Sequence, residues 1–167
     1  REGIADIWKP PADLKQHIGK AKPKDIVNQK AAAFESDQQI LDFLGTLPTD
    51  SPNKTDAEAA TNWFNCFSLM AELGLRPIEV NYLKVLFDPV AKEHYWHCKY
   101  VKKAGNGATA PRRIEPLPLI DRDGKEIKWN LLERFRLNLL PLPDKVDGEA
   151  AGTYLKRRPS WKDLKEL

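Results

Sequence analysis

Apolar residues recur every three or four positions in two stretches of the first half of the chain, a spacing typical of amphipathic helices that bury one face. The first stretch predicts a helix over residues 37–47, beginning at a capping box headed by Ser36. The second predicts a helix over residues 56–73, beginning at a capping box headed by Thr55. The apolar stripe of this longer helix, expected to lie in the core, consists of Trp63, Cys66, Phe67, Met70 and Leu73.

The end of the second helix is followed directly by the start of a third. Gly74 is expected to end the second helix because glycine adopts the left-handed conformation without strain. Pro77 suits the first turn of a new helix, so Arg76 is expected at the junction between the two helices. The apolar side of the short third helix is expected to consist of Ile78, Tyr82, Leu83 and Val85.

From residue 94 onward the composition changes to aromatic and other strand-favouring residues. Residues 94–101 predict one strand and residues 113–118 a returning strand, which together form a β-hairpin with a long basic loop. A further helix is predicted over residues 129–140, and a short helix after Ser160. Prolines and glycines interrupt residues 1–33, which show no apolar period and therefore predict an arm or linker.

These elements predict one domain of the α+β class over residues 34–167, with a helical cluster packed on a hairpin. The chain has 167 residues, of which 41% are hydrophobic, enough for a core. No apolar run approaches the roughly 18 residues that span a bilayer, and no signal peptide opens the chain, so we expect a cytoplasmic protein. Cys66 and Cys98 are too few for a disulfide framework and lie in no CxxC pair, which argues against structural zinc.

Positive charge is concentrated in blocks rather than spread evenly along the chain. The net charge is only +3, and residues 154–162 hold four basic side chains and no acidic one. Such blocks can face phosphates even on a protein of small net charge, although a solvated surface is the alternative explanation. A second block, over residues 99–113, has no acidic residue and five basic ones: Lys99, Lys102, Lys103, Arg112 and Arg113.

The sequence lacks the motifs of several common chemistries. It has no glycine-rich phosphate loop, serine elbow or paired carboxylates. His94 and His97 would point to opposite faces of a strand, which precludes a shared metal ion. A buried Arg76 would need an anionic partner. The spacing offers two partners: Glu79, three residues further along the helix, or a phosphate, which a guanidinium binds with two N–H groups.

Two segments together resemble a known family. Residues 72–83, with the sequence ELGLRPIEVNYL, resemble the first conserved box of the tyrosine recombinases, or phage integrases, whose pattern is T-G-[LM]-R-x-x-E-[ILV]-x-x-L. Residues 100–105 (YVKKAG) and 111–117 (PRRIEPL) resemble the hairpin of the same family, typically K-x-G-K-x-R-x-V-P-L. The order of box and hairpin, and their separation of about 25 residues, fit the family. The resemblance covers roughly residues 34–119.

The resemblance implies roles for individual residues. Arg76 would be the first catalytic arginine, which neutralises the non-bridging oxygens of the scissile phosphate, and Glu79 would support the site. Lys103, or else Lys102, would be the hairpin lysine that protonates the 5′-oxygen leaving group. Fixed cations aimed at the phosphate lower the barrier to phosphoryl transfer. The remaining residues expected to contact DNA are Lys99, Lys102, Arg112 and Arg113.

The implied activity is site-specific recombination of double-stranded DNA through a 3′-phosphotyrosyl intermediate, without a metal or other cofactor, by a homo-oligomer assembled on DNA in the nucleoid. The family's H-x-x-R box and nucleophilic tyrosine have no match after Pro118. We therefore expect these 167 residues to resemble the N-terminal half of a catalytic domain and to be unable to cut DNA. Two other classes stay open: a non-catalytic DNA-binding module and a protein-interaction domain.

Overall fold

A computed structural model describes residues 34–102 and 110–157 of the chain. The arm expected over residues 1–33 and the helix expected after Ser160 lie outside these ranges. The described residues confirm the α+β class, with helices packed on one face of a small antiparallel sheet. In chain order the elements are α1 (Asp37–Gly45), α2 (Lys54–Leu73), α3 (Pro77–Val80), β1 (Leu83–Asp88), β2 (Glu93–Cys98), β3 (Arg112–Ile114), α4 (Leu131–Arg136) and α5 (Gly148–Leu155).

The first two helices begin at polar caps. The Ser36 hydroxyl accepts a hydrogen bond of 3.4 Å from the backbone N–H of Gln39, as the sequence predicts. Helix α2 starts two residues earlier than expected, because the side chain of Asn53 is its cap. The Asn53 Oδ1 atom accepts from the N–H groups of Thr55, at 3.0 Å, and Asp56, at 3.4 Å. The predicted capping box headed by Thr55 is therefore wrong.

The junction after α2 forms as predicted, but the helix that follows is much shorter. Gly74 adopts the left-handed conformation with φ of 61° and ends α2. Arg76 is extended, and Pro77 occupies the first turn of α3. Helix α3 stops at Val80, so the prediction that it continues to Val85 is wrong. The alternating residues that follow pair with β2 instead and form the first strand of the sheet.

Strand β2 lies between the other two strands, and both pairings are antiparallel. Leu83 pairs with Cys98 at one end of the β1–β2 ladder, and Trp96 pairs with Ile114 on β3. The predicted hairpin, formed by β2 and β3, is thus the second of two hairpins in the sheet. Because side chains alternate along a strand, the two faces differ. The face toward the helices carries Leu83, Val85, Trp96, Cys98, Arg112 and Ile114, whereas the opposite face carries Lys84, Leu86, Tyr95, His97 and Arg113.

The core lies between the long helix α2, the sheet and the two C-terminal helices. The indole ring of Trp96 contacts Phe135 of α4 with 5.2 Å between ring centroids, and Trp63 of α2 stacks on Tyr154 of α5 at 5.1 Å. Cys66 is a free thiol in this core, and burial raises its pKa to about 12, which keeps it neutral.

Two helices of the second half differ from the predicted ones. Helix α4 covers only residues 131–136 of the predicted 129–140. Helix α5 lies in a segment for which no helix is predicted, and the carboxylate of Asp147 caps it by accepting from the Ala150 N–H at 2.8 Å. None of the helices in the described ranges combines the length and the apolar character needed to cross a bilayer.

Candidate functional site

Glu79 lies at the centre of the candidate site, on the short helix α3, and is only 5% exposed. Its Oε2 atom accepts a hydrogen bond of 2.9 Å from the backbone N–H of Arg76. Its Oε1 atom accepts a hydrogen bond of 2.8 Å from the Nη2 atom of Arg112, which lies 33 residues further along the chain. A single buried carboxylate therefore joins the start of α3 to strand β3.

The hydrogen bonds determine the charge of the Glu79 carboxyl. Burial by itself raises the pKa of this group, because it disfavours the charged form. The Arg76 amide, the hydrogen bond from Arg112 and the positive charges of both arginines outweigh burial, so the pKa lies below its usual value. Glu79 is thus an anion at neutral pH, with both oxygens occupied by donors, and is not placed to act as a general base.

Arg112 extends from β3 on the face of the sheet that is directed toward the helices, opposite Cys98. Its side chain is 38% exposed, and the hydrogen bond to Glu79 raises its pKa. The Nη1 atom of Arg112 is buried, and among the described residues it has no hydrogen-bond partner. Within the described residues, the Arg112 guanidinium therefore binds Glu79 through Nη2 alone.

Arg76 differs from Arg112 in that it contributes its backbone, rather than its side chain, to the Glu79 contact. The residue is exposed. Within residues 34–102 and 110–157, no ion pair and no side-chain hydrogen bond involves its guanidinium. The sequence spacing offers Arg76 two anionic partners, Glu79 and a phosphate, and the first of these is already bound by Arg112. The Arg76 guanidinium is therefore available to an external anion, close enough to Glu79 for its charge to lower the pKa of that carboxyl.

The predicted lysines lie at or beyond the end of β2. Lys99 is exposed, and its backbone N–H donates to the carbonyl oxygen of Tyr82 at 3.0 Å, which continues the β1–β2 ladder by one pair. Lys102 is exposed at the end of the first described range. Lys103 lies outside the described residues, so the choice between Lys102 and Lys103 stays a prediction.

Arg113 lies on the opposite face of the sheet from Arg112, because neighbouring residues of a strand point in opposite directions. Three carboxylates surround its guanidinium: Glu115 at 2.6 Å, Glu93 at 2.8 Å and Asp88 at 3.7 Å. The guanidinium also lies over the ring of Tyr95, 4.7 Å from its centroid. Of the predicted site residues, the structure brings together Arg76, Glu79 and Arg112, and it separates Arg113 from them.

Sequence reasoning missed a pair of aromatic rings beside this cluster. The rings of Tyr82 and Tyr100 lie 5.3 Å apart between centroids, and Tyr82 is 44% exposed. The Tyr82 N–H donates to the backbone carbonyl oxygen of Glu79 at 3.0 Å, which holds the backbone of Tyr82 next to that of Glu79. Only the non-local pairing of residue 83 with residue 98 brings these tyrosines together, so no local pattern could have shown it.

Other places in the described residues offer less chemistry. His94 and His97 lie on opposite faces of β2, as predicted, and no group of three or more His, Cys, Asp or Glu side chains within the described ranges is placed to hold a metal ion. An open groove of about 470 Å³ separates α1 from residues 121–129, with Leu41, Phe64 and Trp129 among the residues that line it. None of its lining residues belongs to the Glu79 cluster.

Comparison with known proteins provides no relative. The sequence matches no protein-family model, and neither a curated protein nor a solved structure is significantly similar to it. The function is therefore argued from the geometry of the site and the resemblance of the two segments.

Proposed function

We propose that this chain is part of a DNA strand-transfer protein of the tyrosine-recombinase type, in which Arg76 binds a phosphate of the DNA backbone. The observation that carries the proposal is that Arg112, and not Arg76, forms the ion pair with Glu79. Arg112 neutralises the buried carboxylate, which leaves the Arg76 guanidinium exposed and without a partner among the described residues. An internal Arg76–Glu79 pair would have removed the cation that the proposed chemistry needs.

The balance of charges supports an anionic ligand. The cluster of Arg76, Arg112 and Glu79 has a net charge of one positive unit, located at Arg76 because the other two charges face each other at 2.8 Å. A guanidinium suits a phosphate because its N–H groups match two phosphate oxygens. The hydrogen bond from the Arg76 N–H to Glu79 fixes the backbone of Arg76 at the start of α3. Little conformational freedom of this backbone is therefore lost when a phosphate binds.

The proposed reaction uses this cation together with a hairpin lysine and a nucleophilic tyrosine for which this sequence has no matching motif. A tyrosine oxygen, after giving up its proton to water, would form a bond to phosphorus while the bond from phosphorus to the 5′-oxygen breaks. The leaving 5′-oxygen would take a proton from Lys103, or from Lys102, and become a hydroxyl. Arg76 would neutralise charge on the non-bridging oxygens. Since no tyrosine follows an H-x-x-R box in this sequence, the 167 residues are expected to bind DNA without cutting it.

A binding titration tests the proposal. The full chain is titrated into a fluorescein-labelled duplex, and anisotropy is recorded over a range of salt concentrations. We expect Arg76→Ala to weaken binding about tenfold, since one charge-assisted hydrogen bond contributes about 1.5 kcal/mol. The same change should lower the slope of log affinity against log salt by about 1.

Arg122→Ala is the matched control. Arg122 is also an exposed arginine, but it lies in the turn after Asp121, and its guanidinium contacts Asp42 at 3.7 Å. This change should leave the affinity nearly unchanged. Equal effects of Arg76→Ala and Arg122→Ala would refute a specific phosphate contact at Arg76. Covalent capture of a nicked suicide substrate by the unmodified chain would refute the expectation that it cannot cut.

The non-catalytic alternative relies on Arg112 and Arg113 as contacts to the DNA backbone. Both are already paired with carboxylates, Arg112 with Glu79 and Arg113 chiefly with Glu93 and Glu115. A carboxylate therefore already balances the charge of each of these guanidiniums, whereas the charge of Arg76 has no such partner among the described residues. This pairing favours Arg76 over the β3 arginines as the phosphate contact.

A further inference from the structure

The rings of Tyr82 and Tyr100 contact each other, and the backbone of Tyr82 is bonded to Glu79 of the proposed phosphate site. Tyr100 packs partly against the core, and Tyr82 lies against Tyr100 with the ring planes inclined at 60°. Tyr82 is 44% exposed, so part of this residue is open to a ligand although Tyr100 packs against its ring. A phenol ring is rigid and amphipathic, which makes it suitable for contact with a flat polar molecule.

Two backbone hydrogen bonds fix the position of Tyr82. Its N–H donates to the carbonyl oxygen of Glu79 at 3.0 Å, and its own carbonyl oxygen accepts from the N–H of Lys99 at 3.0 Å. The backbone of Tyr82 is therefore bonded on one side to Glu79, whose carboxylate accepts from the Arg76 N–H, and on the other side to Lys99 at the end of β2. Along the backbone, Tyr82 thus lies between two exposed cationic residues, Arg76 and Lys99.

The charge around the rings indicates the chemistry of the ligand. Within the described ranges, neither Arg76 nor Lys99 has a carboxylate partner, and both are exposed. The one carboxylate bonded into this cluster, that of Glu79, is buried and occupied by Arg112. Aromatic side chains interleaved with unpaired cations are the combination that binds single-stranded nucleic acid, because the cations contact phosphates while each base stacks on a ring. A duplex, whose bases are already stacked on one another, offers the ring no free base face.

We propose that Tyr82 and Tyr100 form a stacking platform for an unpaired base of a DNA strand whose phosphate is bound by Arg76. The proposal rests on the function proposed above and specifies its substrate further. The preferred ligand is DNA with an unpaired or unstacked base, rather than an intact duplex. Tyr82 contributes the stacking surface, and Tyr100 positions it.

The test uses the full chain and four labelled probes: a single strand of DNA, its intact duplex, the same duplex with one central unpaired base, and an RNA strand of the same sequence. We expect the unmodified chain to bind the single strand and the bulged duplex at least about fivefold more tightly than the intact duplex, in keeping with the strength of base stacking on aromatic rings. Tyr82→Ala should remove this preference.

Two further variants separate stacking from other effects. Tyr82→Phe should retain the preference because the ring surface is kept, and it guards against a loss of fold in Tyr82→Ala. Phe87→Ala removes an aromatic side chain of β1 that is 53% exposed and lies at the end of the strand away from Tyr82, and this change should not affect binding. Tyr82→Ala should leave the salt slope unchanged, since it removes no charge, whereas Arg76→Ala should lower that slope.

The outcomes distinguish the two proposals. Equal affinity for the intact and bulged duplexes, or equal effects of Tyr82→Ala and Phe87→Ala, would overturn the stacking platform. If Arg76→Ala still lowered the salt slope, the proposed function would stand without it. A Tyr82-dependent preference with no effect of Arg76→Ala would support the platform and overturn the phosphate contact. Tighter binding of the RNA strand would overturn DNA as the ligand, and failure to bind every probe would overturn both proposals.

Discussion

Removal of the Glu79 carboxylate is the sharpest test of how the site is held together. In Glu79→Ala, the backbone N–H of Arg76 loses its acceptor at the start of α3, which costs about 1 kcal/mol, as for other helix caps. The Arg112 guanidinium also loses its counter-ion. Because the Arg112 side chain is 38% exposed, water compensates in part, and this loss is about 1–2 kcal/mol. We therefore expect the free energy of unfolding to fall by about 2–3 kcal/mol.

Urea denaturation of the full chain, followed by tryptophan fluorescence, measures this loss. Trp63 and Trp96 are both buried and report unfolding of the core. With a slope of about 2 kcal/mol per molar urea, typical of small domains, the midpoint should fall by about 1–1.5 M. Glu115→Ala is the matched control, because Glu115 is 72% exposed and also pairs with an arginine of β3. Its midpoint should stay within about 0.2 M of the unmodified chain.

A double-mutant cycle isolates the ion pair from the helix cap. Arg112→Ala removes the guanidinium and keeps the bond between the Arg76 amide and Glu79. The loss in the double variant of Glu79 and Arg112 should fall short of the sum of the two single losses by about 1 kcal/mol or more. Strict additivity, or a Glu79→Ala midpoint as high as that of Glu115→Ala, would refute the central role given to this carboxylate. Glu79→Gln keeps one acceptor oxygen and should show an intermediate loss.

Three further predictions concern the same region. The lowered pKa of Glu79 means that its ionised form stabilises the fold above about pH 4.5, so the difference in urea midpoint between the unmodified chain and Glu79→Gln should shrink as pH falls below that value. Burial, together with the charge of Glu126, raises the pKa of Glu72, so Glu72→Gln should raise the urea midpoint at pH 7, and this gain should vanish at acidic pH. Gly74→Ala should cost about 1 kcal/mol in the same assay because φ there is 61°, whereas Gly45→Ala, at a position without positive φ and equally open to a Cβ atom, should be neutral or stabilising.

The parts of the fold that sequence predicts are those governed by local chemistry. Helices α1 and α2 follow from apolar spacing, and Gly74 and Pro77 mark the junction because their backbone preferences are intrinsic. Strand β1 was missed because its apolar residues also fit helical spacing, and pairing with β2 decides the outcome. Helix α5 was missed because it contains Gly152 and depends on the contact of Tyr154 with the core.

The candidate site was predicted only as far as neighbours along the chain allowed. The spacing of Arg76 and Glu79 correctly indicates that they lie close together, but not that the contact uses the Arg76 backbone. The partner of the Glu79 side chain is Arg112, and this depends on the register of β3. A shift of one residue would have turned Arg113 toward Glu79 instead, because the two arginines point to opposite faces.

The Arg112–Glu79 bond also has a consequence for how the protein can diverge. Pairing with Cys98 and the bond to Glu79 both hold Arg112 in place through residues that the structure describes. Insertions or deletions between Lys102 and Ala110 would alter the reach of Lys103 and leave the carboxylate and its two arginines where they are. Homologues should therefore tolerate length variation there, whereas the identities of Glu79 and Arg112 should change only together.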